Sequence, residues 1–438
     1  MADLLALSAR IIDSGVADEP VNRVTQELSE VADGIVVVES FSHVVVLRTQ
    51  GGLVAFDTSG AATGAACVES VRAWSREPFS HLVYTHGHVD HVGGSGAFIA
   101  DATAAGAPRP SVVAHENVPA RFERYVRTGG WNLAINERQF GWLPRQMGLG
   151  IGGERRFLPA DVAEPDDLYR DDLVIDAGGT RIELHHARGE TDDHTWAWLP
   201  DHKAICAGDF LIWNFPNAGN PQKVQRYPQE WAVAIRAMAA MNPELLLPAH
   251  GLPISGRERI AGVLDEIASA LEKLVADVLE LMNQGARLDQ VVHEVKVADS
   301  VLARPFLRPF YDEPEFVVHN VWRLYGGWWD GDPATLKPAP ASALASEIAA
   351  LAGGPVALAE RGRELAEAGD LRLACHLVEM AGQAAPSDPA VHEMRAAVYE
   401  ARRAGESSLM AMGIFAGAVR ESQAVTGEEP TARRGRMV

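Results

Sequence analysis

Seven residues, Thr85-His86-Gly87-His88-Val89-Asp90-His91, constrain this chain more than any other stretch. Three imidazoles and a carboxylate in so short a run are costly to pack as plain core. Together they make a donor set that suits zinc and similar divalent ions. The apolar run Leu82-Val83-Tyr84 reads as a buried strand that delivers the motif at its end. The spacing divides the donors: His86 and His88 can reach one ion, while Asp90 and His91 turn toward a second. Gly87 removes bulk between the two histidines, and Gly93 and Gly94 permit a tight turn before the next helix. A polar loop with chance histidines is the bland alternative, and the flanking strand and glycines argue against it.

The remaining 431 positions bound what can surround that motif. A chain of 438 residues, 47% of them apolar, can build two or three domains with sizeable cores. A net charge of −20 argues against nucleic acid or an anionic membrane as the main partner. An anionic substrate must then be drawn in by local positive charge, chiefly the metals. Cys67, Cys206 and Cys375 lie far apart without a CxxC, which predicts buried thiols and no disulfide framework. The first residues lack a basic, apolar leader, and no apolar run approaches the ~20 residues of a membrane span. A soluble cytoplasmic protein is expected.

In chain order, residues 1–33 read as an amphipathic helical lead-in. Ile35–Val38, Val44–Leu47 and Leu53–Phe56 are β-branched runs forming a strand meander, followed by a helix over Ala65–Trp74. Pro110–Ala114 predicts another strand, with His115 after it as a structural or outer partner rather than a ligand. Residues 121–170 read as a long loop-rich stretch carrying Trp131, Phe140 and Trp142 among Arg121, Arg124, Arg127 and Arg138, a candidate pocket wall. Composition turns helical after Gly256: a long helix over Arg257–Met282, then a shorter one over Leu288–Val297. From Ala341 to about Gly405 the pattern is one of antiparallel helix pairs, similar to tetratricopeptide repeats.

The histidine motif resembles the H-x-H-x-D-H signature of the metallo-β-lactamase superfamily. The resemblance implies an α/β chain with an αββα sandwich and a dinuclear site at one edge, here over residues 34–255. Most members read G-H-T where this chain has Gly189-Glu190-Thr191, so Glu190 takes the place of the third ligand of the first metal. Asp209 matches the bridging carboxylate, and His250 completes the second metal. The implied ligands are then His86, His88 and Glu190 for one ion, Asp90, His91 and His250 for the other, and Asp209 between them. Two zinc ions per subunit are expected, with Mn2+ or Fe2+ as substitutes.

Glu190, together with Asn320-Val321-Trp322-Arg323-Leu324-Tyr325-Gly326-Gly327-Trp328-Trp329-Asp330-Gly331-Asp332-Pro333, is similar to the alkyl sulfatases of this superfamily, the type III sulfatases. That likeness implies an α-helical dimerisation domain over residues 256–425, a flexible tail over 426–438, a homodimer, and hydrolysis of an alkyl or aryl sulfate monoester by a metal-bound hydroxide. Asp90 and Asp209 would serve the chemistry as well as the metals. The lipid-binding-like C-terminal domain of longer members is not read here. Where members carry a second glutamate, this chain has His194, and the asparagine-rich segment after the bridging acid meets an arginine only at Arg226. Asn214, Asn217, Arg226 and His194 are therefore the candidates for gripping the anion or protonating the leaving oxygen. Two cations balanced by Asp90, Glu190, Asp209 and hydroxide give a formally neutral cluster, which suits a singly charged sulfate monoester. Trp131, Phe140, Trp213 and Phe215 are expected to form an apolar pocket wall. Other hydrolases of the fold, acting on a lactone, thioester or phosphodiester, and a non-catalytic metal-binding protein are the alternatives.

Overall fold

The computed structural model describes residues 3–140 and 156–428. Trp142 and the tail beyond residue 428 lie outside the described residues. The chain begins with α1 (Leu4–Ser14), capped by the Asp3 carboxylate, which accepts from the N–H groups of Leu5 and Ala6. A strand follows that the reading of residues 1–33 did not anticipate. β1 (Leu28–Ala32) pairs antiparallel with β2 (Ile35–Val38) around a tight turn in which Gly34 holds a φ of 72°.

β3 (Val44–Thr49), β4 (Gly52–Phe56), β5 (Phe79–Val83), β6 (Ser111–His115) and β7 (Asp167–Tyr169) extend this sheet in chain order. Pairing is antiparallel as far as β4 and parallel beyond it. The second sheet holds β8 (Asp172–Ala177), β9 (Thr180–His186), β10 (Thr195–Leu199), β11 (Ala204–Gly208), β12 (Leu245–Pro248) and β13 (Ile254–Ser255), with one parallel pair, β11 and β12. Alternation along the valine runs sorts the residues by face. Ile35, Val37, Val45 and Leu47 meet Leu184, Ala197, Cys206 and Leu247 between the sheets. Val36, Val38, Val44 and Val46 pack outward, under α2 (Gly64–Trp74), α3 (Val89–Val92), α4 (Ser95–Ala104) and α5 (Val118–Arg127).

α5 and α6 (Gly129–Phe140) replace much of the loop expected over residues 121–170. In α5 the arginines dominate the composition and mask an apolar face of Val118, Phe122 and Tyr125 at helical spacing. The outer face of the second sheet is covered by α1, α7 (Pro228–Ala240), α8 (Arg257–Asn283), α9 (Leu288–Glu294), α10 (Asp299–Leu302) and α11 (Pro314–Gly326). Four layers, αββα, result.

The chain divides into two compact units. Among the described residues the first comprises 3–135 and 156–327, so it runs well past the expected boundary at residue 256. The apolar faces of α8 and α11 explain this, since Ile260, Leu264, Leu271, Val317 and Val321 complete the core over the second sheet. The second unit, 136–140 and 328–428, contains α12 (Pro333–Leu336), α13 (Ala341–Leu351), α14 (Pro355–Glu367), α15 (Leu371–Ala384), α16 (Pro389–Ala404) and α17 (Leu409–Thr426). Small buried residues such as Ala349, Ala359, Ala374 and Ala381 let its helices approach closely.

Candidate metal centre

The motif leaves the end of β5 as a turn, and α3 then carries Asp90 and His91. The seat of α3 is backbone on backbone. A Cβ on Gly94 would stand 2.1 Å from the Thr58 carbonyl oxygen, and one on Gly93 would stand 2.3 Å from that of Val89. A Cβ on Gly64 in α2 would lie 2.5 Å from the Gly94 Cα. No side chain fits at these contacts.

Two groups of donors result. His86, His88, Glu190 and Asp209 form one, and Asp90, His91 and His250 the other, the donor atoms in each lying within 4.8 Å of one another. Asp209 reaches both: its Oδ2 is 3.8 Å from His86 Nε2 and 3.4 Å from His91 Nε2, and its Oδ1 is 3.5 Å from His250 Nε2. His91 Nε2, Glu190 Oε2 and Asp209 Oδ1 are buried without a hydrogen-bond partner. Buried polar atoms are normally satisfied, so these three mark where a cation fits.

Asp57, at the end of β4, backs the second group. Its Oδ2 lies 2.7 Å from His91 Nδ1, and its two oxygens accept from the Thr85 N–H and hydroxyl at 2.8 Å each. An imidazole that gives its Nδ1 proton to a carboxylate keeps the Nε2 lone pair for a metal. Sequence reading gave Asp57 no role, because its contact with His91 joins residues 34 apart in the chain.

Burial drives the imidazoles of His86 and His88 well below their ordinary range, with neighbouring imidazoles and arginines adding to the fall. Burial also opposes the charge on His91, but Asp209, Asp57 and Asp90 outweigh it and raise the group well above that range. Burial pushes Glu190 up to about 8, and Asp209 adds to this against the pull of Arg226. Divalent cations held by these donors would compensate the crowded carboxylates.

Several sequence-nominated residues have other partners. Glu190 Oε1 accepts from Asn217 Nδ2 at 2.7 Å and is ion-paired with the Arg226 guanidinium, which also donates to the Asn217 carbonyl at 2.7 Å. Asn217 and Arg226 thus face the carboxylate rather than standing open for an anion. His194 is fully buried behind Asp209, its Nε2 accepting the Asp209 N–H at 3.2 Å and its ring stacked on Phe210. Burial pushes His194 down to about 3, so it is a neutral support rather than an anion grip. Asn214 donates to the Ile212 carbonyl, a local turn contact. Trp213 and Phe215 are 0% exposed and belong to the core, so they do not line a pocket; the Trp213 indole N–H donates to the Leu252 carbonyl at 2.7 Å. Trp131 is exposed. His115 stacks on His186, apart from both donor groups.

Lys223 and Tyr311 were passed over by the sequence reading, yet each interacts electrostatically with Asp90 and with Glu190. Lys223 Nζ lies 5.9 Å from the centre of the Phe157 ring, which packs with Val89 of the motif. Burial, helped by Arg226, lowers the Lys223 ammonium to about 8, while Asp90 and Glu190 resist.

Residues 37–250 match the metallo-beta-lactamase superfamily, and residues 287–424 match the alkyl sulfatase dimerisation family. Residues 37–250 form a domain of the metallo-β-lactamase superfamily. Divalent metal binding follows from that domain, and the donor groups above fit it. Among curated relatives, a linear primary-alkylsulfatase from Pseudomonas sp. is 27% identical over 75% of this chain and 63% of its own length. An alkyl/aryl-sulfatase of Saccharomyces cerevisiae is 22% identical over 90% and 64%. The chain therefore spans about three fifths of the length of these relatives. The solved structure of a stereoselective inverting sec-alkylsulfatase from Pseudomonas sp. shares the fold, with a TM-score of 0.80 at 22% identity over 93% of this chain and 67% of that one. No single described helix is long and apolar enough to cross a membrane.

Proposed function

We propose that this chain hydrolyses an organic sulfate monoester, alkyl or aryl, to an alcohol and inorganic sulfate. One observation carries the reading: a carboxylate-rich pair of donor groups sharing Asp209 occurs in the same chain as an alkyl sulfatase dimerisation region. The relatives named as alkylsulfatases support it.

His86, His88, Glu190 and Asp209 would hold one ion, and Asp90, His91 and His250 the other, with Asp209 common to both. Zinc is the proposed metal, from the mixture of imidazole and carboxylate donors. When bound, two such ions supply positive charge for the ester anion and lower the pKa of water. Asp57 holds the His91 tautomer, His194 fixes the Asp209 backbone, and Arg226 with Asn217 fixes Glu190. Lys223 is the cation proposed to meet the sulfate group.

A homodimer through the helical unit belongs to the same proposal. The dimerisation-family match supports it, as does exposed apolar surface at Trp328 and Leu351. Light scattering giving a monomer at micromolar concentration would contradict it. The reaction is tested with sulfate esters of short and long alkyl chains and an aryl ester, run beside phosphate esters and lactones on zinc- or manganese-loaded protein. Sulfate release well above that of an Asp90→Ala variant is expected. Turnover of a lactone or phosphodiester with no sulfate ester turnover would overturn the sulfatase reading.

A further inference from the structure

The aromatic motif that starts at Asn320 sits where dimerisation was expected, yet the Asn320 side chain faces the loop between β11 and α7. Its amide pairs with the Arg226 peptide in both directions: Nδ2 donates to the Arg226 carbonyl at 2.9 Å, and Oδ1 accepts the Arg226 N–H at 3.4 Å. Eight residues earlier, Asp312 makes a second clamp. Its Oδ2 accepts the N–H groups of Gly219 at 2.5 Å and Asn220 at 3.1 Å, and its Oδ1 accepts that of Glu313 at 2.8 Å. Asp312 is 0% exposed and Asn320 2%. At Gly219 the loop lies directly on the first turn of α11, where a Cβ would come within 2.4 Å of the Phe316 carbonyl carbon and the Val317 nitrogen.

Residues 217–226 are thus held at three points by residues 312–320. What the held loop presents to the site is Asn217 Nδ2 and the Arg226 guanidinium, both on Oε1 of Glu190. Oε2 of the same carboxylate is buried and has no hydrogen-bond partner. Two donors on one oxygen fix the carboxylate plane, and that oxygen stands 3.5 Å from His88 Nδ1 of the first donor group.

We propose that Asp312 and Asn320 are positioning residues of the metal centre: by holding the Asn217–Arg226 loop they orient Glu190 toward the first donor group. Asn320 is then part of the metal site's support rather than of a subunit interface. The inference rests on the proposed metal centre, and it concerns how one ligand is aimed rather than which ester is cleaved. Outer partners of this kind typically contribute 10–100-fold in metal affinity. An amide is required at 320 because it must donate to one peptide group and accept from another. A carboxylate at 312 is required because both of its oxygens meet N–H donors.

The test uses the full chain with Asn320→Ala, Asn320→Asp, Asp312→Asn and Arg226→Met. Zinc affinity is measured by competition with a chelating dye, the cobalt-substituted protein gives a visible spectrum, and light scattering gives the mass. In every variant one ion should weaken about 10–100-fold while the other is unchanged, the spectrum of one cobalt should shift, and the mass should stay that of the wild type. Arg226→Met leaves both clamps in place, so it reports on the same ligand even where Asn320→Ala does not fold. Variants that keep both ions with wild-type affinity and spectrum would overturn the inference. So would an Asn320→Ala protein that changes mass while both ions stay. A wild-type protein that binds no divalent ion would overturn the metal centre itself, and the inference with it.

Discussion

The two donor groups are built by different routes. Asp90 and His91 share one helical turn, and His91 is backed by Asp57 from the adjacent strand end, so most of the second group is fixed locally. The first group has only His86 and His88 in the motif. It depends on Glu190, whose orientation relies on Asn217 and Arg226, and these rely on contacts that cross more than 90 residues of sequence. In one group, two of the three donors are set by a strand, a turn and a neighbouring strand. The other is assembled only when α11 has packed. The second should therefore tolerate distant changes that the first does not.

The largest expected effect erases the comparison. Asp209→Ala removes a donor near both groups, so neither ion should bind tightly and turnover should fall to background. Elemental analysis of the dialysed protein checks this, and two retained ions would show that Asp209 is not shared. A smaller, one-sided effect comes from His86→Ala and His250→Ala, each of which should reduce two ions to one. Cobalt spectra of the pair should then look different, because the remaining ions have different donor sets.

Asp57→Asn sharpens the contrast further. The amide can meet His91 Nδ1 but no longer stabilises charge on that ring, so affinity at the second group should drop about 10–100-fold with the first group unchanged. Competition with a chelating dye resolves the two phases. Equal weakening of both ions would show that the groups are not separable. The mildest change is Lys223→Met. Inhibition by inorganic sulfate should weaken about tenfold, ~1.4 kcal/mol, with metal content intact. The pH dependence has a definite sign. Lys223 faces Arg226, Arg124, Asp90 and Glu190, and its pKa is lowered to about 8. The ammonium is charged below that value, so sulfate affinity should hold at lower pH and decline as pH rises through about 8. Divalent ions nearby would move the midpoint lower. A sulfate inhibition profile in Lys223→Met that matches the wild type would remove the residue from the anion site.

Where the sequence was legible, local rules were sufficient. His86 to His91 could be read because a strand, a glycine turn and four donors are adjacent in the chain, and the valine runs displayed the sheet through their alternation. Asp209 and His250 entered through the family resemblance, and each follows a short apolar run that is now β11 or β12. β1 was missed because Leu28-Ser29-Glu30-Val31-Ala32 alternates weakly and stands at a sheet edge. Trp213 and Phe215 were placed in a pocket wall because composition cannot distinguish an apolar surface facing a ligand from one facing α7 and α8. Lys223, Tyr311 and Asp312 carry no local signature, and Asn320 was read as the start of a dimerisation motif, since what makes each one matter at the metal centre is a partner remote in sequence.

The glycines beneath α3 have a consequence of their own. A site seated on side chains can drift over generations, because a neighbour can change size and rotamers can take up the slack. At Gly64, Gly93 and Gly94 there is no rotamer to adjust, and even a methyl group would collide with main-chain atoms. The seat of Asp90 and His91 is therefore inherited whole or lost. Under the proposed activity, new preference for one ester over another would have to arise elsewhere, in the separately anchored loops that carry Glu190 and Lys223. A library aimed at altered selectivity gains by leaving this seat untouched and spending its diversity on those loops.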